Sequence, residues 1–73
     1  MKRYVISFIN LFEGLLDIRE IKAVNAKEAM ILYLMYIRGM LEFDEWLESD
    51  ITAEEIRTCL SERDCSIAYL EIN

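Results

Sequence analysis

The chain has 73 residues, 55% of them hydrophobic, with 14 acidic against 8 basic residues, a formal charge of −6, no His and no Pro. A chain of this length buries only about 60% of its unfolded surface, so it supports one small core, and a single domain over residues 1–73 is expected. The high apolar share, with only 2 Gly, excludes disorder and low-complexity sequence.

Tyr4 to Phe12 is rich in aromatic and β-branched residues and is expected to form a strand, followed by a turn at Glu13-Gly14, where glycine accepts a positive φ. Tyr4, Ile6, Phe8 and Phe12 would share one face and Val5, Ile9 and Leu11 the other. A strand apolar on both sides belongs in the middle of a sheet. Leu15 to Val24 reads as the return strand, and its charges Asp17, Arg19, Glu20 and Lys22 suit an edge that must resist open-ended pairing.

Asn25 with Glu28 three residues later predicts a helix from Ala26 to Arg38, closed by Gly39. Met40 to Glu48, with Leu41, Phe43, Trp46 and Leu47, predicts a short helix or helical turn after a bend. Thr52-Ala53-Glu54-Glu55 is a capping box, with Ile51 placed to staple onto Ile56, and marks a helix from Ala53 to about Arg63. Cys65 to Ile72 alternates and predicts a third strand. The expected fold is therefore α+β, in the order β-β-α-α-β, with a three-stranded antiparallel sheet of order 2-1-3 and the helices on one face.

Cys59 and Cys65 form no CxxC pair and have no His to join them, so neither zinc nor a disulfide framework is expected. Met1-Lys2-Arg3 and the apolar stretch after it resemble the start of a secretory leader. Glu13, Asp17, Arg19, Glu20 and Lys22 would interrupt its core, however, so a cytoplasmic protein is expected. The longest apolar run, Ala29 to Ile37, has 9 residues against the roughly 18 that span a bilayer. No membrane partner is expected.

An enzyme is not expected, because no His supplies a base near neutral pH and no glycine-rich phosphate loop is present. Asp64 beside Cys65 would hold its thiol protonated, opposite to the need of a nucleophile. Asp44, Glu45 and Glu48 have helical spacing, but without a calcium-loop pattern they read as a solvated surface rather than a metal site. No catalytic residue, metal or cofactor is expected.

Two features point to binding. Residues 1–41 hold 4 acids and 6 bases, and residues 42–73 hold 10 acids and 2 bases. Glu42, Asp44, Glu45, Glu48, Asp50, Glu54 and Glu55 run without a Lys or Arg until Arg57. Such a surface either keeps an apolar protein in solution or docks onto a cationic groove, with Trp46 as an aromatic anchor or as a core pin. Nucleic acid itself would be repelled. The second feature is the helix from Ala26 to Arg38, apolar on every side. A helix on a sheet needs one apolar stripe, so Met30, Tyr33, Met35, Tyr36 and Ile37 are expected to form an exposed patch for self-association or a partner helix, unless the following segment covers them.

The opening Lys2-Arg3-Tyr4-Val5-Ile6-Ser7-Phe8-Ile9-Asn10-Leu11-Phe12-Glu13-Gly14, together with Ala23-Val24-Asn25-Ala26-Lys27-Glu28-Ala29, resembles small acidic accessory proteins of tailed, T4-like bacteriophages. The resemblance implies a non-catalytic protein of the infected host cytoplasm that binds a host enzyme, a restriction or CRISPR component, or a toxin. The leading expectation is an inhibitor of a host defence or nucleic-acid-acting protein, whose acidic surface mimics nucleic-acid charge. The competing expectation is a self-associating, nucleotide-sequestering protein, a homodimer holding a small ligand near Tyr33, Tyr36 and Arg38.

Overall fold

The computed structural model describes residues 1–72. Strands β1 (Lys2–Asn10) and β2 (Leu15–Ala23) form a hairpin, followed by helix α1 (Ala26–Leu32), a π-helical turn (Tyr33–Ile37), a 3-10 turn (Leu41–Trp46), helix α2 (Ala53–Ser61) and strand β3 (Cys65–Ile72). The sheet is antiparallel, of order β2-β1-β3, as the alternation anticipates. Phe12 stands outside β1 in the turn and is solvent-exposed, so the expected row of Tyr4, Ile6, Phe8 and Phe12 ends at Phe8.

The hairpin turn is held by the Asn10 side chain, which accepts from the Glu13 N–H at 3.1 Å, and by Gly14 at φ +67°. The Leu11 N–H donates to the Asp64 carbonyl at 2.9 Å, which ties this turn to the entry of β3. At the start of α1 the Asn25 side chain accepts from the Glu28 N–H, but the Glu28 carboxylate reaches back to the Val24 N–H, one residue earlier than a capping box requires. The Thr52–Glu55 box at α2 is complete.

The helix expected over Ala26–Arg38 is α-helical only to Leu32, then widens. The Arg38 N–H donates to the Tyr33 carbonyl, five residues back, and the Met40 N–H to the Leu34 carbonyl, with Gly39 at φ +71° closing the end. The widened turn lets three successive side chains, Tyr33, Leu34 and Met35, all enter the core. Because α1 packs against all three strands, the 3-10 turn and α2, an apolar surface all round is what its position requires.

The core unites Tyr4, Ile6 and Phe8 of β1, Ala29, Met30 and Ile31 of α1, Phe43, Ile56 and Leu60 of the following elements, and Cys65 and Ile67 of β3. No helix among the described residues is long and apolar enough to cross a membrane.

Candidate functional site

The acidic segment begins on the 3-10 turn. Three residues per turn place Phe43 and Trp46 on one side, where they pack edge to face at 4.6 Å between ring centres, with Phe43 buried and Trp46 half-buried. Trp46 thus serves mainly as a pin between turn and core. The chain from Trp46 to Ile51 is knitted by Ser49, whose hydroxyl donates to the Trp46 carbonyl and accepts from the Ile51 N–H, while Lys27 Nζ donates to the Ser49 carbonyl.

On this support Glu42, Asp44, Glu45, Glu48, Asp50, Glu54 and Glu55 are all exposed. Glu42 meets Arg63 at 3.5 Å, and Glu54 meets Arg57 at 2.8 Å. The Glu55 carboxylate is used by the capping box. Asp44, Glu45, Glu48 and Asp50 have no ion pair among the described residues. Nor does any group of three potential metal ligands lie together there.

The expected exposed patch on the first helix does not form. Met30 and Tyr33 are fully buried, Met35 is buried and Ile37 half-buried, leaving only Tyr36 well exposed. The physical reason is enclosure, since α1 packs against all three strands, the 3-10 turn and α2, and the π-helical turn packs against the 3-10 turn. The Tyr33 hydroxyl donates to Asp17 Oδ2 at 2.8 Å, and Arg38 approaches the same oxygen at 3.8 Å. The Arg38 guanidinium also lies 5.8 Å from the centre of the Phe8 ring and 5.9 Å from that of Tyr33. Two of the three groups assigned to a small ligand, Tyr33 and Arg38, are thereby engaged by a carboxylate of the same chain, while Tyr36 stays exposed.

Electrostatics at this junction follow from the geometry. The hydrogen bond from Tyr33 holds the Asp17 carboxyl below its ordinary range, with Arg19 and Arg38 adding to the effect. Burial, then the bond to Asp17, pushes the Tyr33 phenol up to about 12. Cys65 is buried, and burial together with the Asp64 charge raises its thiol. It lines a shallow groove with Arg57, Thr58 and Ser61, but in the protonated form it is a poor nucleophile there.

A second surface lies on the other side of the sheet. The register puts Tyr4, Ile6, Phe8, Cys65 and Ile67 toward the helices, so the alternate residues face away. Across that open face Leu16, Ile9 and Ser66 form one row and Ile18, Ser7 and Ala68 the next. Val5 stands between Glu20 and Leu70, and Arg3 between Lys22 and Ile72. Leu16 is 66% exposed, Ile18 61% and Leu70 64%. The signal for this face is present in the sequence as the second apolar side of β1, which two helices confined to one face cannot cover. Compared with protein-family models, curated proteins and solved structures, the chain matches none.

Proposed function

We propose that this chain is a non-catalytic binding protein whose carboxylates at residues 42–55 occupy the cationic, nucleic-acid-gripping groove of another protein. The observation that carries this reading is the exposure of all seven carboxylates, with four of them free of any ion pair among the described residues. Unneutralised like charges on one short segment repel each other, and a cationic partner relieves that cost. Rigid support by Phe43, Trp46 and Ser49 means little ordering is lost on docking.

The resemblance of residues 2–14 and 23–29 to phage accessory proteins supports a host factor, such as a defence or nucleic-acid-acting protein, as the partner and the host cytoplasm as the setting. The nucleotide-sequestering alternative has less support, because Tyr33 and Arg38 are already engaged by Asp17.

The test is capture from bacterial cytosol followed by mass spectrometry, with the chain and its Glu42→Gln, Asp44→Asn, Glu45→Gln, Glu48→Gln variant as baits. A nucleic-acid-acting protein held by the unmodified chain, released by added duplex DNA or by salt and lost with the variant, is the expected result. Retention of the same proteins by both baits removes the charge-mimicry mechanism.

A further inference from the structure

We infer that the open face of the sheet packs against the same face of a second copy of this chain, about a two-fold axis running parallel to β1. This rests on the sheet register and is independent of the acidic-surface proposal.

Two observations choose a second copy as the occupant, and a third sets the strength of the contact. The first is charge. The open face carries Arg3, Lys22 and Glu20, whereas the chain as a whole is −6, so the excess acid lies elsewhere. The acids at residues 42–55 sit in the helix layer. Face-to-face packing therefore turns them outward, away from the partner's, and joins two chains of like net charge at the place where that charge costs least. Arg3 already grips Glu20 through two hydrogen bonds of 3.0 and 3.1 Å. This pair and Lys22 stand together at one end of the face, where a polar rim belongs.

The second is shape. The face is lopsided, with bulky Leu16 and Ile18 on β2 and small Ser66 and Ala68 in the same two rows of β3. A two-fold axis along β1 brings the β2 side of each copy over the β3 side of the other. Leu16 then meets the partner's Ser66, Ile18 meets the partner's Ala68, and Val5, Ser7 and Ile9 meet their own copies along the axis, as does Arg3, whose charge is matched by Glu20 of its own chain. A two-fold axis across the strands would instead lay the charged end of each face over the apolar end of its mate. Aligned packing of two twisted sheets, about 10 Å apart and about 30° off parallel, is the arrangement of a β-sandwich.

The third is area. Three strands about 4.8 Å apart, each eight residues long at about 3.3 Å per residue, project a face of about 400 Å². This is about half of the roughly 800 Å² per partner that a standard specific interface buries. The absolute area is at the small end, so association is reversible with concentration rather than permanent.

The experiment is sedimentation velocity of the full chain over a concentration series, with circular dichroism to confirm the fold. Ile18→Lys and Ala68→Glu are the variants, both at exposed positions outside the core. The unmodified chain is expected to pass from monomer to dimer as concentration rises, and each variant alone to stay monomeric while keeping its circular dichroism spectrum. An equimolar mixture of the two variants is expected to dimerise, because the axis sets the introduced lysine of one opposite the introduced glutamate of the other. A chain that stays monomeric throughout, a dimer that survives either substitution, or a mixture that stays monomeric overturns the inference.

Discussion

The Tyr33 hydroxyl donates to Asp17 Oδ2 at 2.8 Å, joining the first residue of the π-helical turn to the edge strand β2. Since folding raises the phenol to about 12, the folded state holds this proton more tightly than the unfolded chain, whose phenol titrates near 10. The stabilisation is therefore complete below about pH 10 and is lost as pH rises from there toward about 12. Tyr33→Phe removes the hydroxyl and is expected to cost about 1–2 kcal/mol at neutral pH. It should also flatten the alkaline fall in stability, measured by urea unfolding at several pH values. An equally steep alkaline limb in the variant would assign that limb to other groups.

Asp17 sets the opposite limb. Its carboxyl is held low by Tyr33, Arg19 and Arg38, so the folded state prefers it ionised. That contribution is present above about pH 4, the ordinary carboxylate value, and disappears as pH falls through the lower folded value. Asp17→Asn is expected to destabilise the protein at neutral pH and to make stability less dependent on pH below 4, as read from acid unfolding. Glu20, held low by Arg3, keeps a residual slope in the variant. In the same variant the Tyr33 phenol stays above 10, because burial is the larger cause of its shift.

Strand order is legible from side-chain alternation alone. Tyr4, Ile6 and Phe8 on one face and Val5 and Ile9 on the other suit a central strand, while the charges of β2 suit an outer position. Both helix starts are legible in Asn25 and Thr52, because caps are local chemistry. The π-helical turn is not, since Tyr33 to Ile37 fits ordinary helical spacing and the widening answers to tertiary packing of Tyr33, Leu34 and Met35. The same limit explains the misplaced patch. An apolar surface all round α1 says that the helix must be enclosed, but only the path of residues 40–53 says by what. Leu16, Ile18 and Leu70, in contrast, are exposed as a consequence of the 2-1-3 order with helices on one side.

Two left-handed residues respond oppositely to substitution. Gly39 closes the π-helical turn at φ +71°, and a Cβ there would meet nothing within 4 Å, so backbone strain alone opposes a side chain. Gly39→Ala is expected to destabilise by about 1 kcal/mol, and Gly39→Asn by less, in thermal unfolding. Asp64 adopts φ 59° with a side chain in place. Asp64→Gly relieves that strain and is expected to stabilise by several tenths of a kcal/mol. Both substitutions keep the bond from the Leu11 N–H to the residue 64 carbonyl. An unstable Asp64→Gly chain would mean that the carboxylate itself holds the turn.

The carboxylates at residues 42–55 make a prediction about stability that separates partner binding from folding. Asp44, Glu45, Glu48 and Asp50 are exposed and have no ion pair among the described residues, so neutralising them removes repulsion and breaks no contact of that kind. Asp44→Asn, Glu45→Gln, Glu48→Gln and Asp50→Asn together are expected to raise the melting temperature by about 2–4 °C in dilute buffer. The gain should vanish near 1 M salt, where screening acts within about 3 Å. Glu42→Gln alone, which releases Arg63 from its partner, should bring no gain. A combined variant that melts higher yet captures less protein would show that these charges are maintained for a partner at the expense of the fold. One that melts lower would make the carboxylates structural, and its loss of binding would follow from the damaged fold.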